Sequence, residues 1–125
     1  MKKNYLSIIA LALLLLTASS CTTGNSQPPN NEKITFIELG SVHCKPCIKM
    51  QPIIRNIEIK YGDQVKTIFY DVWTEDGKPY GDKYNIKLIP TQVFLDKEGK
   101  EYYRHEGFFP EEDVVKILAM RGVKE

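Results

Sequence analysis

Ile34-Thr35-Phe36-Ile37-Glu38-Leu39-Gly40-Ser41-Val42-His43-Cys44-Lys45-Pro46-Cys47 is the stretch on which the fold turns. Its opening residues are mostly β-branched, aromatic or aliphatic and stop at Gly40, which predicts a short buried strand over 34–39. Ser41-Val42-His43 reads as a loop. From about Cys44 to Tyr61 the apolar residues Ile48, Ile53, Ile54, Ile57 and Ile59 predict a helix, and Gly62-Asp63 stops it. Pro52 lies inside that helix, where its missing N–H predicts a kink. Two cysteines three positions apart at a helix start can close a disulfide with little backbone movement, and they can also hold a metal. Free N–H groups at the helix N-terminus favour an anion, so the Cys44 thiolate should be stabilised and its pKa lowered. Lys45 adds positive charge nearby, and Pro46 suits a first turn that needs no N–H from it.

Outward from this stretch, Val65 to Val72 is a second strand and Lys78 to Tyr84 a weak helix. Thr91 to Leu95 and Glu101 to Glu106 are strands joined by the turn Asp96-Lys97-Glu98-Gly99. A last helix opens with Pro110-Glu111-Glu112-Asp113, proline at the first position and acids against the positive end of the dipole. It carries Val114, Ile117, Leu118 and Arg121 on one side and ends near Gly122. The order is β-α-β-α-β-β-α. A strand–helix–strand crossover makes two strands parallel, and the tight turn makes two antiparallel. The expected architecture is therefore α/β, a minimal mixed four-stranded sheet with helices on both faces.

In this context Cys44-Lys45-Pro46-Cys47 resembles the active site of the thioredoxin superfamily. The resemblance extends from Glu38 through Gly107. Pro52 matches the family's proline in the active-site helix, Ile89-Pro90-Thr91 its cis-proline loop, and Glu106-Gly107 the glycine after its last strand. The resemblance implies a thioredoxin-like fold and a protein-disulfide reductase or related thiol–disulfide oxidoreductase. Cys44 would be the exposed nucleophile and Cys47 the buried resolving cysteine, the two forming a redox-active disulfide. Glu38 would be a buried acid that takes the Cys47 proton. Pro90 would be cis, and His43, Lys45, Pro46 and the Ile89 backbone would meet the substrate. No cofactor and no metal are implied. Proline as the second central residue resembles the reducing members. The chain departs from the family in having His43 where a tryptophan usually precedes the first cysteine, its sole tryptophan being Trp73. It also lacks the additional N-terminal strand and helix of a full thioredoxin.

Residues 1–20 have a different character. Lys2 and Lys3 precede an apolar run from Leu6 to Leu16 that is too short to span a bilayer, the layout of a secretory signal. Leu16-Thr17-Ala18-Ser19-Ser20-Cys21 resembles the bacterial lipoprotein signal, with Ala18 and Ser20 departing from the strict pattern. That resemblance implies lipidation of Cys21 and a bacterial, extracytoplasmic protein held in the cell envelope by a lipid anchor. Each buried methylene of such an anchor contributes about 0.8 kcal/mol. Residues 22–32 carry no large apolar side chain and read as a flexible tether reaching at most about 40 Å. The chain thus divides into a signal peptide (1–20), a lipidated cysteine with its tether (21–32), and a thioredoxin-like domain (33–125).

Charge narrows the partners. Removing the two signal lysines from the 17 basic residues leaves 15 against 16 acidic ones, a net −1. That balance excludes a generic nucleic-acid binder, which needs a clustered positive face. Protein thiols and disulfides of the envelope are the expected substrates, with electrons supplied by a transmembrane donor. His43 is open to three readings: a solvated rim residue, a tuner of the thiolate, or a third ligand with Cys44 and Cys47 for copper or zinc. Metal handling through these three residues, and a non-catalytic interaction module, are the rival functions. Haem attachment is excluded because position 48 is Ile. His105, mid-strand, reads as a surface residue, and Tyr102, Tyr103, Phe108 and Phe109 as packing around the last hairpin.

Overall fold

The computed structural model describes residues 33–125. The signal peptide, Cys21 and the tether to residue 32 lie outside the described residues. Seven elements follow in the order β1 (Ile34–Gly40), α1 (Lys45–Tyr61), β2 (Val65–Asp71), α2 (Lys78–Lys83), β3 (Thr91–Leu95), β4 (Glu101–Glu106) and α3 (Glu111–Ala119). The sheet runs β2-β1-β3-β4. β1 is parallel to β2, with Ile34 opposite Val65, and antiparallel to β3, with Glu38 opposite Gln92. β3 and β4 are antiparallel, with Gln92 opposite His105. This is the mixed four-stranded α/β architecture expected from the strand order.

β1 is central and every residue in it is buried. Because successive side chains point to opposite faces, β1 divides its residues between two cores. Ile34 and Phe36 pack with Met50, Ile53, Ile54, Ile57 and Tyr61 of α1, and with Val114 and Leu118 of α3. Ile37 and Leu39 face the other way with Val93, against Tyr80 and Tyr84 in and beside α2. Glu38 and Gly40 share the parity of Phe36, so they point toward α1, which carries the second cysteine.

Two sequence expectations change. Ile48 and Ile59 belong to the apolar pattern of the first helix, yet both are exposed, Ile59 to 75%. The stripe α1 buries is Cys47, Met50, Ile53, Ile54, Ile57 and Tyr61. These recur at three- and four-residue steps, which Ile48 and Ile59 do not join. Arg121 is exposed and stacks its guanidinium 4.5 Å from the Tyr102 ring, beyond the end of α3. The helix itself stops at Ala119, and Gly122 takes a positive φ of 83° just after it. Among the described residues no helix is long and apolar enough to cross a membrane.

Candidate active site

β1 ends at Gly40 and hands the chain to a tightly bonded loop. The Ser41 carbonyl accepts from the Cys44 N–H at 3.2 Å and its hydroxyl from the His43 N–H at 3.2 Å. Asp71, the last residue of β2, accepts from the Val42 N–H through Oδ2 and from the Trp73 N–H through Oδ1, each at 3.1 Å. Burial pushes the Asp71 carboxyl up, but those two N–H groups, the Ser41 hydroxyl and the His43 ring together hold it below its ordinary value. One carboxylate thereby ties the loop before the cysteines to the loop after β2.

Cys44 is the N-cap of α1, with φ −94° and ψ 117°, and its sulfur accepts from the Cys47 N–H at 3.4 Å. A sulfur at this position faces the unsatisfied donors and positive end of the helix, the setting that favours a thiolate over a thiol. Cys44 and Cys47 are joined in a disulfide with their Cα atoms 5.2 Å apart. Cys47 is fully buried and Cys44 only 8% exposed. The nucleophile expected to be exposed is therefore largely covered here, because its sulfur is bonded inward to Cys47. Of the two it still has the opening to solvent.

Beneath the pair lies Glu38, fully buried on β1. Its Oε2 accepts from Gln92 Nε2 at 2.9 Å, and its Oε1 has no partner. Burial drives the carboxyl up to about 8, against a smaller downward pull from the Gln92 bond. Gly40 explains how the acid and the sulfur come together. A Cβ on Gly40 would stand 3.2 Å from Cys47 Sγ and 3.4 Å from Glu38 Oε1, so the absent side chain leaves one small space bordered by both.

The fourth side of the site is the start of β3. The Ile89–Pro90 bond is cis, Pro90 is buried and Ile89 half-buried. Thr91 donates its hydroxyl to the Leu88 carbonyl at 2.7 Å, and the Pro90 carbonyl accepts from the Gly107 N–H at 2.7 Å. Leu39 pairs with Thr91, so extending the register by one residue brings Pro90 to the level of Gly40. His43, Lys45 and Pro46 are exposed around the rim. The exposed large apolar side chains Val42, Ile48, Trp73, Leu88 and Phe108 lie on the loops and first turn at this same end of the sheet. His105 stacks on Phe109 at 4.1 Å, and its Nε2 lies 3.1 Å from the Phe108 carbonyl, so it organises the loop after β4 rather than standing free. Among the described residues no group of three or more His, Cys, Asp or Glu side chains is placed to hold a metal ion.

Sequence reading singled out Glu38, Cys44, Cys47, Ile89 and Pro90, and the fold brings these to one end of β1 and β3. It missed Gly40, Asp71 and Gln92. Gln92 follows the proline by two positions in a strand of alternating residues, but only the β1–β3 register reveals what it meets.

A four-stranded mixed sheet with a helix-capping Cys-X-X-Cys disulfide beside a cis-proline loop defines the thioredoxin-like class of redox domains. The family model for the thioredoxin-like domain matches residues 25–121, and the chain belongs to that family. Chloroplastic thioredoxin Y of Oryza sativa subsp. japonica is 29% identical over 88 residues, covering 70% of this chain and 51% of that protein. The thioredoxin of Bacillus subtilis is 25% identical over 88 residues, covering 70% of this chain and 82% of its own. The chain spans about half or less of the length of several plant relatives it matches. In fold it is similar to Fasciola hepatica thioredoxin, with a TM-score of 0.64 at 23% identity over 74% of this chain and 84% of that one.

Proposed function

We propose that the protein is an extracytoplasmic, membrane-tethered thiol–disulfide oxidoreductase that reduces protein disulfides. The observation that carries this reading is the Cys44–Cys47 disulfide at the N-terminus of α1, with a buried carboxyl on its inner side. In the reduced protein the Cys44 thiolate attacks one sulfur of a substrate disulfide. That S–S bond breaks, a mixed disulfide forms through Cys44, and the first substrate sulfur leaves as thiolate. Cys47 then passes its proton to the Glu38 carboxylate, and its sulfur attacks Cys44. The second substrate thiol is released and the domain is left oxidised, two electrons having passed to the substrate. The apolar rim of Val42, Trp73, Leu88 and Phe108 suits extended protein segments as substrates. Repeated turnover needs a donor that restores the dithiol, and for a protein outside the cytoplasm this is a transmembrane thiol carrier. The lipoprotein-type signal ending at Cys21 supports the anchor and the location in a bacterial cell envelope.

Two experiments test this reading. With Cys47→Ser, the resolving sulfur is absent and mixed disulfides with envelope proteins should accumulate through Cys44. If that variant traps no partner, and residues 22–125 show no reversible two-electron couple in a redox titration, the oxidoreductase reading fails. Cys21→Ala should release the protein from membranes, and unchanged retention would reject the lipid anchor.

A further inference from the structure

We infer that Gln92 is the positioning residue of Glu38: its buried amide is the one side-chain partner that carboxyl has among the described residues, and by turning over it can serve the carboxyl in either protonation state. Gln92 is fully buried, and it lies directly opposite Glu38 in the β1–β3 register. Its Nε2 donates to Glu38 Oε2 at 2.9 Å, a bond that an ionised carboxylate needs and that the carbonyl oxygen of a protonated carboxyl also accepts. The same contact leaves Gln92 Oε1 buried and without a partner, next to a carboxyl whose Oε1 is also without one. Unpaired buried polar atoms are costly and need a reason. A protonated carboxyl supplies it. Rotated by half a turn, the amide presents Oε1, and the Glu38 O–H becomes its donor.

The chemistry of a proton acceptor calls for such a partner. A cation opposite Glu38 would hold it ionised, and an apolar residue would leave its charged form with no side-chain donor, keeping it protonated. An amide only eases the burial of the charge, so a carboxyl that burial has raised can still take the proton that leaves Cys47 and release it again. The other groups facing Glu38 do not duplicate this. α1 presents Cys47, β2 places Phe69 opposite, and the α3 side chains in this core, Val114 and Leu118 buried and Val115 and Ile117 partly so, are all apolar. His105 on β4 is a strand further along the row, opposite Gln92, with its Nε2 directed to the Phe108 carbonyl.

This inference rests on the proton-acceptor role of Glu38 proposed above, but its first test needs no turnover. The Glu38 carboxyl is titrated by carbon-13 NMR in the reduced full chain held in detergent, its resonance assigned by loss in Glu38→Gln. Gln92→Met removes the donor and should raise the titration midpoint by about one to two pH units. Gln92→Lys should lower it instead, an opposed pair of shifts that a merely structural role would not produce. Midpoints within a few tenths of a unit of the unmodified chain in both variants would overturn the assignment. Should Gln92→Met fail to fold, Gln92→Asn, an amide on a shorter arm, should give an upward shift of smaller size, and no shift would overturn it. The pH profile of mixed-disulfide release should move with the titration, and in a Glu38→Gln background Gln92→Met should move it no further. A titration that shifts while the release profile stays fixed supports the Gln92 assignment and rejects Glu38 as the acceptor.

Discussion

Glu38 is a carboxyl on a buried central strand, and its influence on stability follows from where its proton sits. Its ordinary value is 4.5, and burial raises it to about 8 in the folded chain. The folded state therefore binds this proton more tightly than the unfolded state. The stabilisation is complete below about pH 4.5 and is lost as pH rises through about 8. We expect the unfolding free energy to fall across that window by on the order of a few kcal/mol from this group. Glu38→Gln should flatten this part of the profile, checked by denaturant unfolding at several pH values between 5 and 9. A slope that survives the substitution would mean that other groups produce it.

At the scale of elements, the larger core depends on aromatic side chains that meet across the sheet. Phe94 of β3 is fully buried and stacks on Phe36 of β1 with ring centroids 4.9 Å apart. It also meets Tyr103 and Phe109 edge to face at 5.8 and 6.3 Å. Phe94→Ala removes all three contacts and leaves a cavity between strands and helices. We expect it to cost about 3–5 kcal/mol, read as a lower denaturant midpoint with little change in slope. The pairing of helix to helix is a lesser matter. Glu111 at the start of α3 accepts from Asn56 and Lys60 of α1 at 2.7 and 3.2 Å, but the Lys60 ammonium is solvated and its pairing adds little.

These elements also show what could be read in advance. Local signals decided β1, the β3–β4 hairpin, the acidic start of α3 and the Cys-X-Pro-Cys turn, because each is written within a few adjacent residues. Ile48 and Ile59 misled because hydrophobicity alone does not say which side of a helix is covered, and both stand on the outer side of α1. Gln92, Asp71 and Gly40 acquire their meaning from partners brought in by strand pairing. Glu38 and Gln92 are 54 positions apart, and no pattern in the chain announces their hydrogen bond.

For the molecule as a whole, β1 has a direction with a mechanical meaning. It begins at Ile34, where the described chain starts to form sheet, and ends at Gly40 beside the disulfide. Seven extended residues rise about 23 Å. The start of β1 is thus the pole opposite the sulfurs, and on the anchor proposed above a domain standing upright on its leash would point its chemistry outward like a lamp on a post. Soluble partners meet the disulfide without any reorientation. Under the lipid anchor proposed above, a donor embedded in the same membrane would be reached only when the domain bows over, and residues 22–32, read from their composition as a tether, would supply the length for it. Deleting most of them should slow recharging by an embedded donor severalfold while leaving reduction of a soluble disulfide unchanged, measured side by side in reconstituted vesicles. Equal rates for both lengths of leash would show that the lamp never has to bow.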